Sequence, residues 1–255
     1  MVTEFTDRVL ILRVGRFRET DLWVRFLSPK RGVLSAFAFG GSRSRRRFSG
    51  CLDLFNDVLF SFKTTRNGMY NTLQEGVLMG APRKLRQDWW RLGIAMNCAK
   101  FLETFGIAPD GAAKAHTLLA DVLALLEEED VPPANLPLLF RMRMAFDQGY
   151  ALDLVRCARC GTGLARFSAT GFHVREGGFF CADCAGRERV GNFLSVGHET
   201  LDALRLVQEY SPLHWREGPL VSLSPAGHRN CAKVVESFIE HHVGLRWDNS
   251  RFIRV

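Results

Sequence analysis

Most of the signatures that would make this chain an enzyme, a membrane protein or a secreted one are missing. There is no G-x-x-x-x-G-K-S/T loop to cradle the phosphates of ATP, no H-E-x-x-H, and no G-x-S-x-G. The deaminase pattern of H-x-E with P-C-x-x-C, in which zinc and nucleic acid meet, is absent too. The carboxylates single out no acid/base pair, so no catalysis is expected. No apolar run approaches the roughly 18 residues that a membrane helix needs. Met1-Val-Thr-Glu-Phe-Thr-Asp7 has no basic segment followed by an apolar one, so neither a membrane span nor export is expected. Reducing cytoplasm is therefore the expected compartment, and the seven cysteines, an odd number, argue further against a disulfide framework. There is no internal repeat and no low-complexity tract. What remains is a binding protein of 255 residues, 47% hydrophobic and 24% charged, with room for one or two ordinary domains and a small module.

Four of the cysteines carry the most specific signal. Cys157-Ala-Arg-Cys160 and Cys181-Ala-Asp-Cys184 are two C-x-x-C knuckles 20 residues apart, a zinc spacing. Four thiolates fill a tetrahedron around one Zn²⁺ and leave no position for water or substrate, so the site reads as structural, one ion per chain. Gly161, Gly163, Gly171, Gly177 and Gly178 break the segment between them into short apolar runs that suit a small ribbon over residues 155–190. Redox dithiols or two disulfides are the competing readings. His173 is a substitute ligand that four cysteines make unnecessary. Cys51, Cys98 and Cys231 read as small buried hydrophobes.

Net charge is +7, and its distribution is uneven. Residues 1–80 hold 13 Lys/Arg against 7 Asp/Glu, residues 81–150 hold 8 against 9, and residues 151–255 hold 13 against 11. A basic first third points to a polyanion, with nucleic acid ahead of an anionic membrane surface. In that third, Val9–Val14, Leu22–Leu27, Val33–Phe39, Leu54–Phe62 and Tyr70–Leu78 are strand-like, and Asn67-Gly68 is a hairpin signal before the last. Five strands in so short a span predict a closed barrel of the OB type over residues 1–80. The loop after the third strand, Gly40-Gly-Ser-Arg43-Ser-Arg45-Arg46-Arg47-Phe48-Ser-Gly50, carries four arginines whose forks match phosphate oxygens. Phe48 and Phe39 are candidates to stack bases. Arg13, Arg16, Lys63 and Arg66 are the next candidate DNA contacts. A solvated, disordered turn is the plainer alternative for the loop.

From residue 81 to 255 the periodicity is helical. Trp89 to Phe105, Leu118 to Leu126, Leu138 to Tyr150 and His198 to Tyr210 each present an apolar set, so the ribbon is an insertion between helices. Arg141 and Arg143 alternate with Met142, Met144 and Phe146. The last helix has Ser224 as N-cap, Pro225 at N1 and Gly244 at C′. His241 and His242 near its end complement the macrodipole better than they make a metal pair. The fold class is therefore α+β: an OB-type barrel, then an α-helical domain with an inserted four-cysteine ribbon.

This order, with several local strings, resembles the RecO family of bacterial recombination mediators. Arg18-Glu-Thr-Asp-Leu22, Ser28-Pro-Lys-Arg-Gly-Val-Leu-Ser35, Gly40 to Phe48, Gly149 to Gly161 and His241-His-Val-Gly-Leu245 are similar to that family's strings. The resemblance implies binding of single- and double-stranded DNA and annealing of complementary strands in the cytoplasm, at the nucleoid. It also implies work with RecR to load RecA onto DNA coated by single-strand-binding protein. The acidic, apolar tail of that last protein needs an apolar slot rimmed by cations, for which Arg141 and Arg143 are candidates. The alternative is a zinc-dependent nuclease or nucleic-acid-modifying enzyme.

Overall fold

A computed structural model of the chain describes residues 4–65, 69–128, 130, 134–167, 169–187, 193–218 and 223–255. It opens with five strands: β1 (Glu4–Arg16), β2 (Leu22–Ser28), β3 (Gly32–Ala38), β4 (Asp57–Thr64) and β5 (Asn71–Gly80). They close a barrel in the order β1-β2-β3-β5-β4, antiparallel throughout except for the parallel β3–β5 pair. That is the OB topology. In β1, Val9, Leu10, Ile11 and Leu12 are all buried. Val9 and Ile11 join the barrel core with Val24, Phe26, Val58, Phe60 and Phe62. Leu10 faces the other way, into a groove shared with Ala120 and Leu123 of a later helix. Each buried phenylalanine of this core contributes about 1.5–3 kcal/mol. The fourth strand begins at Asp57 rather than Leu54, because Phe55 takes a left-handed conformation (φ 61°) and donates its N–H to the Ile11 carbonyl. The Asn67-Gly68 signal and Arg66 lie outside the described residues.

The segment between β3 and β4 is folded. Gly40, in the left-handed region, starts it, and its N–H donates to Asp21 Oδ1 at 2.7 Å, tying it to the β1–β2 turn. Asn56 Nδ2 donates to the carbonyls of Gly50 (2.8 Å) and Cys51 (3.0 Å). Phe48 and Cys51 turn inward as part of the barrel core.

Seven helices follow among the described residues: α1 (Arg83–Gln87), α2 (Trp89–Phe105), α3 (Ala112–Glu128), α4 (Leu136–Asp147), α5 (Ala182–Ala185), α6 (His198–Glu209) and α7 (Pro225–Phe238). By contacts the chain forms two compact units, Met1–Leu92 with Gly106–Glu128, and Gly93–Phe105 with Glu129–Val255. In the first, α3 packs on β2 and β3, and Glu127 accepts the N–H groups of Arg83, Lys84 and Leu85 at 2.7–3.1 Å. In the second, the ribbon is a three-stranded sheet, β7 (Gly178–Cys181), β6 (Ala169–His173) and β8 (Phe193–Gly197) in spatial order. Its third strand lies past the second knuckle, where a return straight to helix was expected. Ser224 caps α7 by accepting from Gly227 N at 3.1 Å, with Pro225 at N1. A π-turn over Ile239–Val243 ends at Gly244 (φ 71°).

One element has no counterpart in the sequence reading. β9 (Leu245–Asp248) and β10 (Arg251–Arg254) form a hairpin whose two turn residues, Asn249 and Ser250, both have positive φ. Arg254 donates to the carbonyls of Thr104 and Phe105, each at 3.1 Å, and so satisfies the open end of α2.

Candidate nucleic-acid interface and metal centre

Strand register alone collects one end of the barrel. The pairs Arg16↔Leu22, Leu22↔Ala38 and Phe37↔Thr72 bring together the β1–β2 turn, the end of β3 and the start of β5. In β3 the alternation sends Ala36 and Ala38 inward, so Phe37 and Phe39 stand on the outer face. Phe37 is the hub of an aromatic row. It lies 4.6 Å from Phe17, 6.1 Å from Phe39 and 5.5 Å from Tyr70, ring centre to ring centre. Phe17 (47%), Phe39 (40%) and Tyr70 (43%) keep much of their surface open. Arg18 lies over Phe17 at 5.3 Å. Phe17, Phe37 and Tyr70 were missed in the sequence because they come from three separate segments. The readable signal was Phe37 and Phe39 at alternate positions of a strand whose other face is alanine.

The expected DNA contacts fall into two groups, exposed and tied into the fold. Arg43, Arg45 and Arg46 are exposed and make no side-chain ion pair among the described residues. Arg47 is tied into the fold: its guanidinium donates to the Phe39 carbonyl at 2.5 Å, and its own carbonyl accepts from Gly76 N–H at 2.8 Å. Phe48 is the clear correction. It is 3% exposed and packs on Phe60 at 6.3 Å, so it fills the barrel and cannot stack a base. Burial of an aromatic outweighed the polarity of its neighbours. Arg16 is exposed at the end of β1, and Arg13 stands opposite Arg25. Lys63 is paired with Glu4 at 3.1 Å, which offsets its charge.

The four knuckle cysteines converge. All four Sγ atoms lie within 4.8 Å of one another, and Cys160 and Cys181 are 3.8 Å apart. Four sulfurs each about 2.3 Å from a tetrahedral ion stand about 3.8 Å apart, so the group can hold one metal ion. Local structure sets the positions. Gly161 (φ 72°) donates to the Cys157 carbonyl, Ala158 N–H reaches Phe179, and one-turn α5 carries Cys184. Sulfurs this close resist ionising together. The Thr162 hydroxyl beside Cys160 holds that thiol down to about 6, whereas the Cys181 sulfur pushes Cys184 up to about 12. A divalent cation removes the conflict. Among the described residues this is the one cluster with metal-ligand geometry. His173 is not part of it; its Nδ1 accepts Glu176 N–H at 3.0 Å. His242 Nε2 sits 2.7 Å from the Val174 carbonyl.

Arg141 and Arg143 do not share a slot with the methionines. Met142, Met144 and Phe146 are buried in the helical core. Arg141 bonds Asn97 at 3.1 Å, lies over Phe252 at 5.0 Å and lines a pocket of about 260 Å³ with Leu245, Arg246 and Trp247. Arg143 pairs with Asp147 at 3.0 Å and donates to the carbonyls of Val207 (3.1 Å) and Tyr210 (2.5 Å), closing the end of α6. Arg143→Ala is expected to lower stability by about 2 kcal/mol, because it strands Asp147 and two carbonyls. Chemical denaturation checks this, and an unchanged midpoint would show that the clamp contributes nothing.

An OB-type barrel with a cationic, aromatic end, continued by helices into which a four-thiol ribbon is set, defines a modular OB-fold protein. Residues 1–81 match the family model described as Recombination protein O N terminal, and residues 86–252 match Recombination protein O C terminal. The chain is 52% identical over 252 residues to the DNA repair protein RecO of Oleidesulfovibrio alaskensis, covering 99% of this chain and 100% of that one. It is 52% identical over 255 residues to that of Nitratidesulfovibrio vulgaris, with the same coverage. Against the DNA repair protein RecO of Anaeromyxobacter dehalogenans it is 30% identical over 251 residues, 97% of this chain and 96% of that one. The chain belongs to the RecO family of DNA repair proteins.

Proposed function

We propose that this chain is a non-enzymatic recombination mediator. It binds single- and double-stranded DNA without sequence preference, anneals complementary strands and, with RecR, helps load RecA onto DNA coated by single-strand-binding protein. The observation that carries this reading is the barrel end, where unpaired Arg43, Arg45 and Arg46 stand near an open aromatic row. Guanidinium forks take phosphates and contribute no sequence information, while aromatic faces accept any unpaired base. Holding two backbones on cationic surface lowers their repulsion and speeds pairing without ATP. The metal is zinc in a structural role, because four thiolates select a soft tetrahedral ion and leave no open ligand position. That closed shell counts against the nuclease alternative. The pocket at Arg141, with Trp247 and Phe252 as its apolar wall, takes the acidic tail of single-strand-binding protein, whose carboxylates must displace Glu240 from Arg246, 3.4 Å apart. The site of action is the cytoplasm, at the nucleoid.

The test is annealing of complementary strands coated with single-strand-binding protein. Purified chain is expected to accelerate it without nucleotide. Phe37→Ala/Phe39→Ala is expected to weaken single-strand binding about tenfold, with less effect on duplex, whose bases are not available to stack. Equal losses on both substrates would remove the aromatic row from the site, and failure to anneal would overturn the reading.

A further inference from the structure

Two large aromatic side chains stand outside everything assigned so far. Trp89 is 80% exposed and Trp90 43%, at the start of α2 within the first unit. Their rings meet edge to face, 5.8 Å apart at 78°, which leaves the Trp89 face open. Tryptophan is usually well buried, so an indole this bare asks for a partner. The surroundings say which kind. Arg83 and Lys84 in α1 are exposed, with no side-chain ion pair among the described residues. The nearby carboxylates are already spent inside the fold. Asp88 accepts Trp90 N–H at 2.8 Å and Arg91 Nε at 3.1 Å. Glu127 accepts the three N–H groups at the start of α1. Tryptophan with arginine also makes protein hot spots, but lysine is depleted from them, and an exposed Lys84 next to Arg83 with no ion pair among the described residues favours an anionic partner. Flat rings beside these cations match a nucleotide, which is a flat base on an anionic linker.

We propose that Trp89 and Trp90, with Arg83 and Lys84, form a second single-strand site, so that one chain holds two strands at once. The proposal rests on the DNA-binding reading above. β5 starts beside Tyr70 and ends at Gly80, before α1, so the chain runs through a ten-residue strand about 30 Å long between the first site and the second. Charges farther apart than the Debye length of about 8 Å at physiological salt are largely screened, so strands held at separate sites repel each other little. Two strands held by one chain meet at an effective concentration near the millimolar range.

The probe is a 15-nucleotide oligo(dT), which cannot pair with itself, titrated against the full chain by anisotropy and tryptophan emission. The parent is expected to take two oligonucleotides, with quenching of indole emission. Trp89→Ala/Trp90→Ala is expected to take one and to anneal complementary strands about tenfold more slowly, at parental melting temperature and metal content. Trp89→Phe/Trp90→Phe, which keeps the flat rings, is expected to restore both. A double alanine variant that still takes two strands and anneals like the parent would overturn the proposal. A parent that takes one strand only sinks the second site and leaves the first intact; a parent that takes none sinks both readings. Protection of Trp89 by RecR instead of by oligonucleotide would assign the surface to protein docking and also overturn it.

Discussion

Cys181→Ser is expected to release the metal and melt the second unit at least about 10 °C below the parent. Binding of a structural zinc by four thiolates supplies an apparent 10–16 kcal/mol, roughly as much as the whole stability of an ordinary domain. At about 2–4 °C per kcal/mol for a unit of this size, loss of even part of it is large. The ribbon has little else to hold it. Its sheet has three short strands, and its apolar interior is a few rings such as Phe172–Phe179 and Phe180–Phe193. The effect reaches further, because Phe172 also meets Phe238 of α7 and Asn230 of α7 donates to the Ser195 carbonyl at 2.7 Å. Cys98→Ser and Cys231→Ser serve as comparisons. Both thiols are buried outside the four-sulfur cluster, so neither is placed to hold the metal. Because thiols must lose their protons to bind the ion, metal should also be released as pH falls. Metal analysis with melting curves decides: one zinc per chain in the parent and none in Cys181→Ser is the expected result. Parent protein without zinc, melting like the mutant, would refute it.

Arg43→Ala/Arg45→Ala/Arg46→Ala is expected to flatten the salt dependence of single-strand binding. Three phosphate contacts at about 0.7 each contribute roughly 2 to the log-log slope. Between 50 and 200 mM salt the parent should therefore lose about 16-fold more affinity than the triple mutant. All sequences should weaken alike, and annealing should slow. Arg47→Ala should leave the slope near the parental value, since that guanidinium serves the Phe39 carbonyl. On the sequence alone all four arginines had the same part, that of matching phosphate oxygens. A triple mutant with the parental slope would move the phosphate contacts to Arg13, Arg16 or Arg18.

What the sequence showed and what it hid follow one physical division. The knuckles were legible because thiols that can share one ion lie in short fixed spacings that tolerate little variation. The barrel strands were legible because burial imposes alternation on each. The role of Phe48 was not, since nothing nearby in the chain says that the loop folds back to fill the barrel. Nor was that of Arg143, whose partners at Val207 and Tyr210 are more than 60 positions away. The hairpin at Leu245–Arg254 escaped because Asn249-Ser250 makes a tight turn without the glycine that usually marks one.

The loop that carries the arginines also plugs the barrel, and this governs where the chain can grow. Surface loops commonly accept inserted residues at little cost, since closing a longer loop is a slowly rising entropic penalty. Beside Arg45 and Arg46, whose side chains are exposed, insertions should be accepted and should only reposition charge. From Phe48 to Asn56 they should not. There Phe48 and Cys51 fill the interior, Asn56 holds the Gly50 and Cys51 carbonyls, and Arg86 reaches the Leu54 carbonyl at 2.7 Å, so one added residue pulls the stopper from the barrel.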